Sequence, residues 1–322
     1  GLTGRTGFVL IDLESGETLD ALRAAEPFPP ASVVKAITAH YALARLGPDH
    51  RFETRLLVTG TVREGIARGN AILQGGGDPE LDTDALAELA AQARARGLAG
   101  VSGRFLVDPG APETPRINAE QTEAAAYNPG VSGLNLNFNR VLFSWEREGQ
   151  GFDLSLEARA LRATAPSGVH GIDLAEGQGA VFTRREDPAG RELWTVEAGV
   201  LGRNGKRWLP VRRPAAYAAD VFRTLADARG LALPAPEIGA APAGATVLAR
   251  VVSRPLADIL AGMLDHSTNL TAEAVGRAAS GRAALAESGA AMSAWAAARL
   301  REAVPSAPAA PGVPALAAGV AA

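Results

Sequence analysis

Cysteine is absent from this chain, which rules out disulfides and thiolate metal sites without fixing the compartment. Lysine is almost absent too. Lys35 and Lys206 stand against thirty arginines, a bias that with abundant alanine and glycine reads as the coding habit of a GC-rich genome. The four histidines, His40, His50, His170 and His266, are scattered without the spacing of metal ligands, so neither a metal nor any other cofactor is expected. No run of eighteen or more apolar residues escapes interruption by charge or repeated proline, and no membrane span is predicted. No leader pattern precedes the first strand, as in a mature or excised form. A net charge of -3 and a pI near 5.9 give no basic surface, so nucleic acid is not an expected partner. What remains is a chain of 322 residues, 47% hydrophobic, long enough for two or three domains with proper cores.

Against the scarcity of lysine, the position of Lys35 stands out. In Pro29-Pro30-Ala31-Ser32-Val33-Val34-Lys35 the prolines suit the start of a helix, and Gly47-Pro48 supply its stop. Side chains three apart share a helix face, so the Ser32 hydroxyl and the Lys35 amine can meet. One reading makes Ser32 a cap and Lys35 a solvated charge. The other makes Ser32 a nucleophile and Lys35 its base. A solvated lysine has a pKa near 10.4, so only about one in 2500 is neutral at pH 7, and the site would have to depress that pKa by roughly 3, or about 4 kcal/mol. Burial and the positive end of a helix both act in that direction.

A second polar cluster lies far downstream, at His266-Ser267-Thr268-Asn269, where the helical pattern of Pro255 to Leu264 breaks before another apolar run. Ser267 and Asn269 would share a tight connection between helices. A hydroxyl there could relay protons and a carboxamide could donate to a carbonyl. Equally, Asn269 or Thr271 could only cap the next helix.

Between the two clusters, alternating patterns predict strands over Phe52 to Thr59, Asn70 to Gln74, Val101 to Val107, Leu134 to Trp145, Glu192 to Ala198, Arg207 to Val211 and Val247 to Val252. Amphipathic helices are predicted over Thr83 to Gly97 and Ala215 to Gly230. Gly75-Gly76-Gly77 lacks a following lysine and hydroxyl pair and reads as a turn rather than a phosphate loop. After about Ser280 come an alanine-rich helix and a proline-rich tail, Val304 to Pro314, with the composition of a linker or poorly ordered end.

The run Pro-Pro-Ala-Ser-Val-Val-Lys at 29 to 35 and Ser-Thr-Asn at 267 to 269, far apart in sequence, resemble the serine D-alanyl-D-alanine carboxypeptidases/endopeptidases of the penicillin-binding protein 4 type. Gly7 to Leu19 looks like that family's first hairpin, Gly77-Asp78-Pro79 like its glycine-aspartate-proline turn, and Val131 to Asn139 and Asp265 to Glu273 like further landmarks. The resemblance covers about residues 5 to 285. It implies an α/β (α+β) fold with a transpeptidase/β-lactamase-like catalytic domain, residues 1–50 and 248–322, interrupted by a long strand-rich insertion. That insertion would comprise one subdomain from 51–75 and 141–247 and a nested one over 76–140. It also implies Ser32 as nucleophile, Lys35 as base, Ser267 and Asn269 completing the site, peptidoglycan peptides and β-lactams as partners, and a periplasmic location.

One part of the family pattern is missing. Active members carry Lys-Thr-Gly or a close variant downstream of the Ser-x-Asn loop, and no lysine follows Lys206. Arg5-Thr6-Gly7 precedes the serine and opens a strand, so it is read as coincidence. In the family the third motif's strand completes the central sheet, and backbone near it gives half of the oxyanion hole. Losing one such donor costs about 2.7–4 kcal/mol of barrier, so the chain as it stands is expected to be impaired, either a fragment or a remnant. A β-lactamase or esterase of the same serine-lysine class and a non-catalytic peptidoglycan-binding protein are the alternatives.

Overall fold

The computed structural model describes residues 4–176 and 181–303, and the tail expected over Val304 to Pro314 lies outside them. Helices α1 (Lys35–Leu46), α2 (Thr83–Ala95), α3 (Pro214–Asp227), α4 (Leu256–His266), α5 (Asn269–Ser280) and α6 (Leu285–Ala303) combine with many strands in a mixed α/β arrangement, the last three helices following one another directly. The largest sheet among the described residues has five strands in the order Pro236–Ile238, Phe105–Asp108, Ala71–Gln74, Glu53–Val58, Thr246–Val252. Helices α2 and α3 pack together on this sheet. They bury Leu86, Leu89 and Ala93 from one and Tyr217, Val221 and Phe222 from the other, against Leu56, Leu73, Phe105 and Val107. A four-stranded sheet (Thr164–Pro166, Gly151–Arg159, Arg140–Glu148, Asn204–Pro210) and a three-stranded one (His170–Ala175, Glu192–Glu197, Phe182–Glu186) extend the same core through Phe143, Leu156, Trp194 and Val196.

The helical end is built from both ends of the sequence. Helix α1 packs on α4, α5 and α6, and Ala39 and Ala42 share a core with Phe52, Leu256, Ile259, Met263, Ala272 and Val275. Ser253 ties this end to the sheet: its hydroxyl accepts from the Phe52 amide at 2.9 Å and donates to the Arg254 carbonyl at 2.8 Å. The glycine run is a loop that leaves the strand Ala71–Gln74, with the turn itself just after it at Pro79 and Glu80. A Cβ on Gly76 would lie 2.2 Å from the Glu53 carbonyl oxygen, and Gly77 holds φ +85°, so the backbone approach itself demands glycine there.

Strand pairing and one turn go beyond what the local pattern shows. The division between 51–75 and 76–140 is crossed by hydrogen bonding, because Phe105–Asp108 pairs in parallel with Ala71–Gln74. Residues 140 to 210 build two further sheets, and Val62–Arg63, Ile66–Ala67 and Gly100–Val101 build another small one. Alternation identifies a strand but not the edge on which it will pair. The strand Thr246–Val252 pairs antiparallel with Glu53–Val58, and the hairpin of Phe8–Ile11 and Thr18–Leu22 forms a two-stranded sheet alone, with Phe8, Val9, Leu10 and Ile11 exposed.

Finally, the long strand expected from Leu134 begins only at Arg140. Asn137, Phe138 and Asn139 form a 3-10 turn at φ 50°, 56° and 50°. The alternating Leu and Asn that imitate a strand are a buried polar turn. Asn135 Nδ2 donates to the Ser132 carbonyl, Asn137 Oδ1 accepts from the Thr83 amide, and Asn139 bridges Leu136, Gly130 and Asn135. Asparagine tolerates the left-handed region and supplies local hydrogen bonds, which overrides the period-two pattern.

Candidate active site

The turn that starts α1 is a 3-10 helix over Ala31–Val34, and Ala31 ahead of Ser32 takes φ +45°, a left-handed conformation unusual for alanine. That kink presents Ser32 at the surface at the helix start while Lys35, one turn on, is only 1% exposed. At the other end, α4 stops at His266 because Ser267 is also left-handed, at φ 54° and ψ 40°, and α5 restarts two residues later. The two serines meet across 235 positions of sequence, with the Ser267 hydroxyl donating to Ser32 Oγ at 2.7 Å. Lys35 Nζ completes a triangle, 3.1 Å from Ser32 Oγ and 3.3 Å from Ser267 Oγ.

Of the four residues expected from sequence, Ser32, Lys35 and Ser267 are thus in mutual contact. Asn269 is placed differently. It is the first residue of α5, and one of its amide protons is committed to the Tyr127 carbonyl at 3.1 Å. The residue also borders a cleft lined by Tyr127, Pro129, Phe138, Arg140, His266 and Ser267.

The electrostatics centre on residues that the sequence reading left out. Burial holds the Lys35 amine below the ordinary lysine range, and the Glu273 carboxylate acts against that shift. Burial pushes the Glu273 carboxyl well above its ordinary range, while Lys35 and Arg277 pull it back. The Arg277 guanidinium is lowered by burial and raised by Glu273. Glu273 and Arg277 are 1% and 6% exposed, on a helix whose residues 270–277 are all buried. A glutamate and an arginine four apart, Glu273 and Arg277, among the small and apolar residues from Leu270 to Gly276 were the available signal. Arg277 also donates to the Pro112 carbonyl at 2.8 Å, tying α5 to the loop after Phe105–Asp108. Among the described residues no three His, Cys, Asp or Glu side chains gather as metal ligands, and no helix is long and apolar enough to cross a membrane.

Comparison with known proteins places the whole chain. The chain is 27% identical over 292 residues to a D-alanyl-D-alanine carboxypeptidase of Actinomadura sp. (strain R39), covering 83% of this chain and 52% of that protein. It is 29% identical over 277 residues to a carboxypeptidase of Mycobacterium tuberculosis, covering 86% and 47%. The chain therefore spans about half the length of these curated relatives. Among solved structures, penicillin binding protein 4 (dacB) of Haemophilus influenzae superposes with a TM-score of 0.74 at 20% identity, over 97% of this chain and 70% of that one. The same Haemophilus protein complexed with a β-lactam gives a TM-score of 0.71 at 20% identity, over 97% and 69%. At that identity the likeness is one of fold. The sequence profile of the D-Ala-D-Ala carboxypeptidase 3 (S13) family matches residues 2–304, and the chain belongs to that family.

Proposed function

We propose that this chain carries the nucleophile of a serine-type D-Ala-D-Ala carboxypeptidase/endopeptidase that acts on peptidoglycan stem peptides in the periplasm and is acylated by penicillin. The observation that supports it most is the triangle of Ser32 Oγ, Lys35 Nζ and Ser267 Oγ, all within 3.3 Å of one another. Ser32 Oγ attacks the carbonyl carbon of the penultimate D-alanine as its proton passes to the neutral Lys35 amine. The C–N bond then breaks, and the leaving amine takes a proton back from the Lys35 ammonium through the Ser267 hydroxyl. Water adds to the resulting ester by the same route in reverse, releasing the shortened peptide and restoring Ser32. Asn269 offers its remaining N–H to a substrate carbonyl. Desolvation favours this chemistry because a buried Lys35 holds its proton less tightly. The catalytic domain of this reading takes in residues 1–50 and 248–322.

The protein at its natural length, treated with labelled benzylpenicillin, should carry the label on the peptide containing Ser32, and Ser32→Ala should carry none. Robust labelling of Ser32→Ala would remove Ser32 from its role. Rapid nitrocefin turnover would instead favour a β-lactamase.

A further inference from the structure

We infer that the four-stranded sheet carries a saccharide groove, which holds a neutral N-acetylhexosamine unit of the substrate apart from the Ser32 site. This rests on the reading of peptidoglycan as the substrate. Strand register puts two rows of polar side chains on one face: Asp153, Glu146 and Asn204 stand opposite one another, and Ser155, Ser144 and Lys206 form the next row. Together they line a cleft of about 290 Å³. The residues between them turn the other way, as Trp145 does onto the Phe143 ring at 5.1 Å between centroids. Like charges directly opposite across a sheet destabilise it, yet Glu146 and Asp153 face each other with no ion-pair partner among the described residues. Lys206 in the next row has none either.

Lys206 is one of two lysines against thirty arginines, and its three rotatable donors suit scattered hydroxyls better than a rigid fork would. Acceptors on Glu146 and Asp153 and donors on Lys206 and Asn204, all exposed, complement a ligand that is uncharged and rich in hydroxyl and amide groups. The groove is also continuous with the cleft beside Ser32. Arg140, at the start of the strand Arg140–Glu148, lines that cleft with Ser267 and Asn269, and its guanidinium carbon lies 5.5 Å from the ring centroid of Trp208. Trp208 shares a face with Lys206 and Asn204, on the side of Lys206 nearer to Arg140. At roughly 3.4 Å per strand residue, Ser144 is about 14 Å from Arg140. An extended peptide of four residues spans about the same length, so a sugar borne on the far end of a stem peptide bound at Ser32 reaches the groove.

The test titrates N,N′-diacetylchitobiose, an uncharged disaccharide, into the isotope-labelled natural-length protein and follows amide chemical shifts. The shifts should cluster at Ser144, Glu146, Asp153, Asn204 and Lys206, and the affinity should change by less than about twofold on adding salt, since the ligand carries no charge. Lys206→Met and Glu146→Gln should each weaken binding by about fivefold to tenfold. Both side chains are exposed, and a urea midpoint no lower than that of the wild type checks that the variants fold. Shifts confined to other surfaces, or variants that bind within about twofold of the wild type, overturn the proposal. So does tighter, salt-sensitive binding of the deacetylated disaccharide, whose ammonium groups would mark a cation site instead. Penicillin labelling separates the two levels of the argument. A wild type that labels at Ser32 but binds no disaccharide overturns the groove alone, whereas one that binds the disaccharide at these residues without labelling at Ser32 supports the groove and overturns the reading of Ser32.

Discussion

Replacing Asn139 with alanine tests whether the buried asparagine turn is what places Phe138 and Arg140 beside the site. Asn139 is fully buried, and its carboxamide makes three bonds of 2.8 Å: Oδ1 accepts from the Leu136 amide, and Nδ2 donates to the Gly130 carbonyl and to Asn135 Oδ1. Asn135 Oδ1 keeps a second donor, the Ser132 amide at 3.0 Å, so it loses least. The Leu136 N–H and the Gly130 carbonyl are left without that partner in a dry environment, at about 1–3 kcal/mol each. Asn139 also sits at φ +50°, where alanine is less tolerant than asparagine by about 1 kcal/mol. The sum is about 3–7 kcal/mol, with about 4 kcal/mol as the working figure, or roughly a thousandfold in the folding equilibrium. Urea denaturation at 25 °C, followed by fluorescence and by far-ultraviolet circular dichroism to check that the transition is two-state, should show the midpoint fall without a change in slope. Asn139→Asp keeps the acceptor but loses both donors at neutral pH, so it should be at least as destabilised and should recover in part when acid protonates the carboxyl. A loss below about 1 kcal/mol for Asn139→Ala would mean that water replaces these bonds and that the turn is held by other contacts.

Two further outcomes follow from the buried charges. Burial raises Asp78 from its ordinary 3.8 to about 7, so the folded state holds a proton that the unfolded chain has released. The stability this contributes is full below about 3.8 and is lost as pH rises through about 7; Asp78→Asn, which keeps the acceptor for the Glu80 amide, should therefore raise the urea midpoint at pH 8 and leave it nearly unchanged at pH 4, by about 4 kcal/mol at most. A midpoint that falls at pH 8 would refute this account. Glu273 raises the pKa of Lys35, so Glu273→Gln should lower it and move the acid limb of Ser32 acylation by benzylpenicillin to lower pH; a limb that stays or moves upward would show that Glu273 does not act on Lys35.

Much of the candidate site was legible because it is local. The spacing of Ser32 and Lys35 is set by helix geometry, and their meeting at 3.1 Å requires little beyond the turn that the flanking prolines and Gly47 frame. The helices α2, α3 and α4 were legible for the same reason, since each repeats its apolar positions over three or more turns. Asn137 and Asn139 were not: period-two alternation looks alike whether the polar residues face water or are folded inward onto backbone groups, and only the surrounding chain decides which. The partner of Thr246–Val252 and the separation of the sheets made from residues 140 to 210 depend on pairing between distant segments, about which local pattern carries no information. Glu273 became meaningful only when α5 packed on α1, because the field of a buried carboxylate at Lys35 depends on distance and exclusion of water rather than on sequence position. The sequence by itself therefore determined the family and the placing of Ser32 and Lys35 on one helix face. The tertiary structure decided how Ser267 reaches them, which way Asn269 faces, and which buried charges act on the lysine, because these are properties of segments that meet only after the chain has folded.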